Sequence, residues 1–259
     1  MGIDVHSVDL LNGSQTSRQD RLLLGLRNAV ATPASANAVT GLGSITAGTG
    51  FTNINTVTLA PTGGTGSGLV AVPTALKAIS ATVVGGGTSG FAAADTITLS
   101  NGVVLTVATA NVGGQVLTAN VTTAGSFTGQ VATNPVSQTA TNGSGVGTTA
   151  WTLAYGLASA QILDSGSYTG APSLTVTDSA GGTGASIATV SLGGNGNTIY
   201  KQINFDLPST YAVLATPAMD CRVNVPAALK TNTGFSVALV PSTTGSTIAA
   251  GSIDVAVFA

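Results

Sequence analysis

Glutamate is absent from this sequence, and histidine, cysteine and tryptophan each occur once. Charged residues make up 6% of the chain, against roughly 25% in ordinary soluble domains. Each shortage excludes something. His6 is the sole histidine and sits in an N-terminal arm that reads as extended, so a Ser-His-Asp or Cys-His device finds little support. The nine aspartates are scattered with no close pair in sequence, which leaves general acid–base work by two carboxylates without a local signature. Cys221 alone forms neither an intrachain disulfide nor a CxxC metal site, and reads as a buried, inert thiol. A formal net charge of −2 leaves no basic footprint for nucleic acid. There is no apolar run of about 18 residues, so no membrane span is expected, and MGIDVHSVDL carries no secretory signature. The expectation is a non-enzymatic protein with no catalytic residue, no cofactor and no metal.

Glycine is present in quantity (35 residues), with alanine and threonine, and 43% of the chain is hydrophobic. Disordered chains are polar and charged, so an ordered structure is expected. The stretch Ser165–Leu192 shows the plan. Gly166 and Ser167 allow a turn, Tyr168 supplies an aromatic anchor, and Pro172 opens a strand where a missing N–H does least harm. Residues 173–177 alternate apolar and hydroxyl side chains, the period of a half-buried strand. Residues 181–184 (GGTG) are a turn cluster, and a second strand follows.

The same order recurs. Gly48-Thr-Gly-Phe51 precedes TVTL at 56–59 and a glycine run at 63–68. Phe91, after Gly87-Thr-Ser-Gly90, precedes TITL at 96–99. Gly125-Ser-Phe127, Pro135 and Asn142-Gly-Ser-Gly145 form a more worn copy. The anchors Phe51, Phe91, Phe127 and Tyr168 lie 40, 36 and 41 residues apart, a period that means an array of one supersecondary unit. Further strands are expected at 76–84, 115–122 and 161–164, giving about four β repeats of ~40 residues.

Charge separates residues 1–33, 34–199 and 200–259, and the domain reading follows it closely: an arm and helix (1–40), the β-repeat region (41–196) and a C-terminal domain (197–259). Residues 34–199 hold only Lys77, Asp95, Asp164 and Asp178. In the first part, Ser17-x-x-Asp20 resembles a capping box, and Leu22, Leu23, Leu26 and Val30 recur on one helical face before Pro33. This predicts a helix over 18–31 whose leucine face docks either on the chain's own β body or on a neighbouring protein. In the last part, alternation at Ile203, Phe205 and Leu207, at Phe235, Val237 and Leu239, and at Ile253, Val255 and Val257 predicts a small antiparallel β-sandwich or jelly-roll-like domain. The fold class is therefore all-β, with one short N-terminal helix.

Other motifs carry less. Residues 85–90 match GxGxxG formally, but a β repeat follows instead of a helix. Asp95 and Asp178 stand beside turns, where solvated turn caps outweigh a cation site, since calcium repeats need several acids per turn. Trp151, alternating with Leu153, Tyr155 and Leu157, reads as core before sugar platform.

The unit G-S-[YF]-T-x-A-P-x-[LV]-T-V, followed by GGTGA and A-x-V, resembles repeats of tailed-bacteriophage virion proteins, which occur in fibres, tail proteins and capsid-decorating proteins. The likeness is closest at Gly166–Ala185 and partial at Gly48–Gly68 and Gly87–Gly102, which lack the proline. GFSVALVPS and IDVAVFA resemble small β-sandwich capsid cement proteins. The resemblance implies a structural virion protein, assembled in the bacterial cytoplasm, that decorates a capsid as a homo-oligomer, with a homotrimer favoured. Its partners would be copies of itself and the major capsid protein or another virion protein. A host-surface glycan is a further possible partner. A fibre or receptor-binding adhesin, and a bacterial surface appendage subunit, remain the alternatives.

Overall fold

The computed structural model describes residues 23–188, 190–194, 196–204, 207 and 210–258, with the backbone alone for 23–29 and 258. All extended secondary structure in it is β. The first strands are β1 (Leu23–Thr32), β2 (Val39–Gly41), β3 (Ile45–Thr49), β4 (Val57–Thr62) and β5 (Thr65–Gly86). A cluster of four follows: β6 (Thr96–Leu99), β7 (Val104–Ala110), β8 (Val116–Thr123) and β9 (Val136–Thr141). Then come β10 (Thr149–Gly170), β11 (Ser173–Asp178), β12 (Thr183–Ile187) and β13 (Ser191–Leu192). The last six are β14 (Ile199–Asn204), β15 (Ala212–Pro217), β16 (Cys221–Asn224), β17 (Lys230–Thr231), β18 (Gly234–Pro241) and β19 (Gly251–Phe258).

The framework is the pairing of β5 with β10, two antiparallel strands of 22 residues each. Strands usually run 3–10 residues. Their register shifts at six points along the pairing. One shift lies between Ser159 and Ala160, opposite Pro73, where an irregular step accommodates a residue that cannot donate. Such bulges also coil the ribbon.

Each end of the ribbon carries a sheet. At one end, β3, β12, β11 and β4 form a four-stranded sheet in that order. At the other, the order β5-β10-β9-β6-β7-β8 rolls round until its two edges meet. There the Ala78 N–H donates to the Ala124 carbonyl, and Leu76 and Phe127 exchange both backbone bonds at 2.9 Å. No continuous ladder joins β8 to β5 among the described residues, so the roll is not a closed barrel. Trp151, Leu76, Ile97, Leu99, Leu105 and Leu157 are fully buried inside this body.

The repeats are thus joined two by two, one pair inside the other. The first sheet combines the segment after Phe51 with the segment after Tyr168 (β4 on β11). The rolled sheet combines the segment after Phe91 with the segment after Phe127 (β6 on β9). The inner pair is inserted into the outer pair along the β5/β10 ribbon.

The last 60 residues, with β1 from the N-terminal segment, form a two-sheet sandwich, β1-β19-β15 over β14-β18-β16 with β17 beside β18. Ile253, Val255 and Val257 pack with Ile199, Phe235, Val237 and Leu239 in a second buried cluster. Here the sequence expectation for the N-terminal segment fails. Residues 23–32 are a strand, not a helix, and Leu23 pairs with Phe258 and Val30 with Ile253. Leu26 falls in the register shift between Leu24 and Asn28. Leu22 lies outside the described residues, as does His6. The reason is tertiary. A 14-residue helix with Gly25 inside and Val30 and Thr32 near its end is marginal alone, whereas β19 offers a full unpaired edge.

Candidate functional site

The four aromatic anchors are placed by close backbone approach. Gly125 and Gly166 adopt φ of 69° and 60°, and a Cβ on either would come within 2.8 Å and 2.7 Å of the ring two residues later, Phe127 and Tyr168. Phe51 is buried over Gly182, and Phe91 over Gly145. Tyr168 is buried, and its hydroxyl accepts the Leu69 N–H at 3.2 Å. Phe127 is half-buried and meets Tyr155 edge-on, with centroids 5.3 Å apart. Pro172 is buried beside Gly64, at the crossing of the β4–β5 and β10–β11 turns. The anchors therefore serve packing within each pair of repeats and are not gathered into one site.

Asp178 and Asp95 each fasten a turn, the first after β11 and the second before β6. The Asp178 carboxylate accepts the Thr56 hydroxyl at 2.6 Å and the Ala180 and Gly182 N–H groups at 3.0 and 2.8 Å. Burial alone would push this carboxyl up, but those three hydrogen bonds outweigh it and hold it below the ordinary carboxylate value. Asp95 accepts the Ala92 N–H at 2.9 Å. Among the described residues no three His, Cys, Asp or Glu side chains come together as metal ligands would. Cys221 is buried; burial, with the nearby Asp220 charge, pushes its thiol up, away from the reactive thiolate.

Two places join the parts of the molecule. The first is a neck. β2 pairs with β13, the Gly193 N–H donates to the Ala38 carbonyl at 2.9 Å, and the Thr40 hydroxyl donates to the Gly193 carbonyl at 2.7 Å. The chain enters and leaves the body through this one pair of strands. The second is a polar latch on β10. Asp164 is 5% exposed and Ser165 wholly buried. Asp164 accepts the Lys201 ammonium at 3.0 Å, the Gln202 N–H at 3.2 Å and the Gly166 N–H at 2.9 Å. The Ser165 hydroxyl accepts the Tyr200 N–H at 2.9 Å. Two β10 side chains thus hold β14 of the sandwich against the body. Sequence reasoning did not single out this latch, though a signal existed: Asp164 is one of four charges in residues 34–199 and sits in a strand.

Where the outer and inner pairs of repeats touch, an open cleft of about 530 Å³ lies between Thr49–Thr52, Gln130–Asn134 and Leu153–Tyr155. No lining residue is charged. Phe51, Val131, Leu153 and Tyr155 are buried beneath it, and Thr49, Thr52, Gln130, Thr133 and Asn134 are exposed around it.

No family model, no curated protein and no solved structure matches this chain.

Proposed function

We propose that the chain is a non-enzymatic structural protein of a tailed-phage virion, the class its repeats resemble. In this reading it decorates or cements the capsid as a homo-oligomer after assembly in the bacterial cytoplasm. The sandwich grips the shell, against the major capsid protein or another virion protein, and the repeat body projects. One observation carries this reading. The first and last described strands, β1 and β19, pair within a single sandwich, and residues 39–192 leave and re-enter it through the β2/β13 neck. The body is thus an insertion in the sandwich. A lattice-matched surface is best placed on the part with one fixed core, and a variable display on an insertion whose removal leaves that core's strands in place.

Homo-oligomerisation has its own support. β4 is an edge strand of the four-stranded sheet, and no charged side chain lies on it. Charge is one of the devices that keep bare edges from pairing with other chains. A trimer is the favoured form. The fibre or adhesin reading draws on the ribbon, whose 22-residue strands, at about 3.3 Å per residue, reach at most ~70 Å.

The test mixes truncated proteins with undecorated capsids. Joining Gly41 to Ser191, which are paired neighbours in the neck, removes the body and should spare binding. Removing 197–259 should abolish it. The opposite pattern places the shell contact in the body and overturns the reading. Light scattering that gives a stable monomer at micromolar concentration would exclude the trimer.

A further inference from the structure

We propose that the uncharged cleft between the two pairs of repeats is a binding site for a neutral oligosaccharide. This goes beyond the structural role above and does not depend on it, because the site belongs to a single chain. Size and build come first. The cleft, at about 530 Å³, falls within the roughly 300–1,000 Å³ of small-molecule sites, which combine an apolar floor with a few polar groups. Phe51, Val131, Leu153 and Tyr155 make the floor, and three threonines and two amides surround it.

The walls are fixed before any ligand arrives. The Phe51 N–H donates to the Tyr155 carbonyl at 3.2 Å, the Val131 N–H to the Thr52 carbonyl at 2.9 Å, and the Ile54 N–H to the Gly129 carbonyl at 3.2 Å. The Asn134 amide bonds β10 twice, donating to the Leu153 carbonyl and accepting the Leu153 N–H, both at 2.9 Å. A preformed wall spares the ligand the cost of ordering it.

The rim groups are unspent. Some surface threonines bond to one another across strands, as in Thr58–Thr177 and Thr109–Thr118, both 2.6 Å, while others, such as Thr82 and Thr152, make no side-chain hydrogen bond among the described residues. Around the cleft the side chains of Thr49, Thr52, Gln130 and Thr133 make no hydrogen bond among the described residues. Hydroxyl and amide groups free to donate and accept, over carbon-rich side chains, match a sugar, which presents hydroxyls at its edge and C–H groups on its face.

Two other ligand classes fit less well. An anionic or cationic ligand would enter without a counter-charge, at the desolvation cost of an unpaired ion. An extended peptide adding itself as a strand needs free backbone groups on β10. Those of Leu153 are taken by Asn134, and the Tyr155 carbonyl by Phe51.

The experiment is saturation-transfer NMR on the full chain with a set of neutral oligosaccharides headed by maltotriose and N-acetylchitotriose. Trigalacturonate serves as the acidic control and an uncharged extended hexapeptide as the peptide control. A neutral sugar should receive saturation, with Kd on the order of 1 mM. Gln130→Ala and Thr52→Val should each raise Kd about 2- to 10-fold, the worth of one hydrogen bond. Thr133→Trp, a change at an exposed position that fills the cleft, should abolish the signal while leaving the circular dichroism unchanged. The proposal is overturned if no neutral sugar of the set is saturated at millimolar concentration, if the signal survives Thr133→Trp, or if the acidic or peptide control binds as well as the best sugar.

Discussion

The body and the sandwich build their buried cores by partly different means. In the sandwich, β18 runs as Gly234–Pro241 with both faces covered, and aliphatic residues on β19 alternate inward at every second position. Volume there comes from branched side chains and Phe235. In the body, aliphatic side chains fill much of the core as well, but aromatic rings are seated on glycine backbone, and strands cross so closely that a methyl group is excluded. At Gly156 a Cβ would stand 2.6 Å from the Gly48 carbonyl oxygen and 2.7 Å from that of Ala47. The difference teaches that a charge-poor chain need not be loosely specified: in the body, specificity lies in where side chains are missing.

The comparison breaks or holds first at the two cores. Trp151 is fully buried in the body and Phe235 is 2% exposed in the sandwich. Replacing either with alanine should cost about 3–5 kcal/mol. Because the clusters are separate, Trp151→Ala should lower the melting of the body and Phe235→Ala that of the sandwich, read as distinct calorimetric transitions. A single transition shifted equally by both would mean one cooperative unit and would end the contrast. Next in size is Gly156→Ala, which should destabilise by about 1–3 kcal/mol through overpacking alone, with Ala238→Gly in the sandwich as a contrasting loss of volume. A neutral Gly156→Ala would show that β3 does not press on β10 as described.

Much of this was legible in the sequence and some was not, for physical reasons. Alternation at Ile253–Val257 announced β19 because a half-buried strand must alternate; the same pattern at Phe235–Leu239 marked β18, although Ser236 and Ala238 between the large residues are buried as well. The glycine-aromatic spacing marked places where a ring lies close to bare backbone, as at Gly125 with Phe127 and Gly166 with Tyr168. The nesting was hidden. A strand that ends in a glycine turn carries no mark of which distant strand will accept it, so β4 on β11 and β6 on β9 cannot be read from spacing. The 22-residue strands were hidden too, because Pro73, Gly156 and Gly166 look like terminators: Pro73 is taken up at a register shift, whereas Gly156 and Gly166 lie in stretches where the pairing with β5 is regular. β1 was misread because leucine spacing describes a segment alone, while the open edge of β19 decides its state. The candidate site was the least legible: its residues come from three segments distant in sequence, brought together only by the fold.

An effect of similar size is expected at the latch, which tests whether the two regions are held as one piece. Asp164→Asn keeps the shape and removes the charge, and it leaves Lys201, 27% exposed, able to reach water. The loss should be about 1.5–3 kcal/mol, the worth of a hydrogen bond to a charged group. Lys201→Met should cost less, since the Gly166 and Gln202 N–H groups still hold the carboxylate. Hydrogen exchange should quicken at Tyr200 and Gln202 in Asp164→Asn and leave the Val255 amide slow. Uniform loss of protection would place the latch within a single core instead of between two.

The smallest expected effect separates the turns of the two regions. Asp178 sits at a body turn with its carboxyl held below the ordinary value by Thr56, Ala180 and Gly182, against the opposing push of burial. A carboxylate with a depressed folded-state pKa adds stability above its unfolded value, near 4, and that stability is lost as pH falls through the folded value. The wild-type body should therefore melt progressively earlier as pH drops from about 5 to 2, and Asp178→Asn should flatten that dependence. The group is largely solvent-screened, so the difference between the proteins should be about 1–2 °C. The sandwich transition, to which Asp178 does not belong, should respond equally in both proteins. If Asp178→Asn instead altered the acid response of the sandwich transition, the turn would be coupled through the neck or latch, and the body could no longer be treated as an insertion with its own stability.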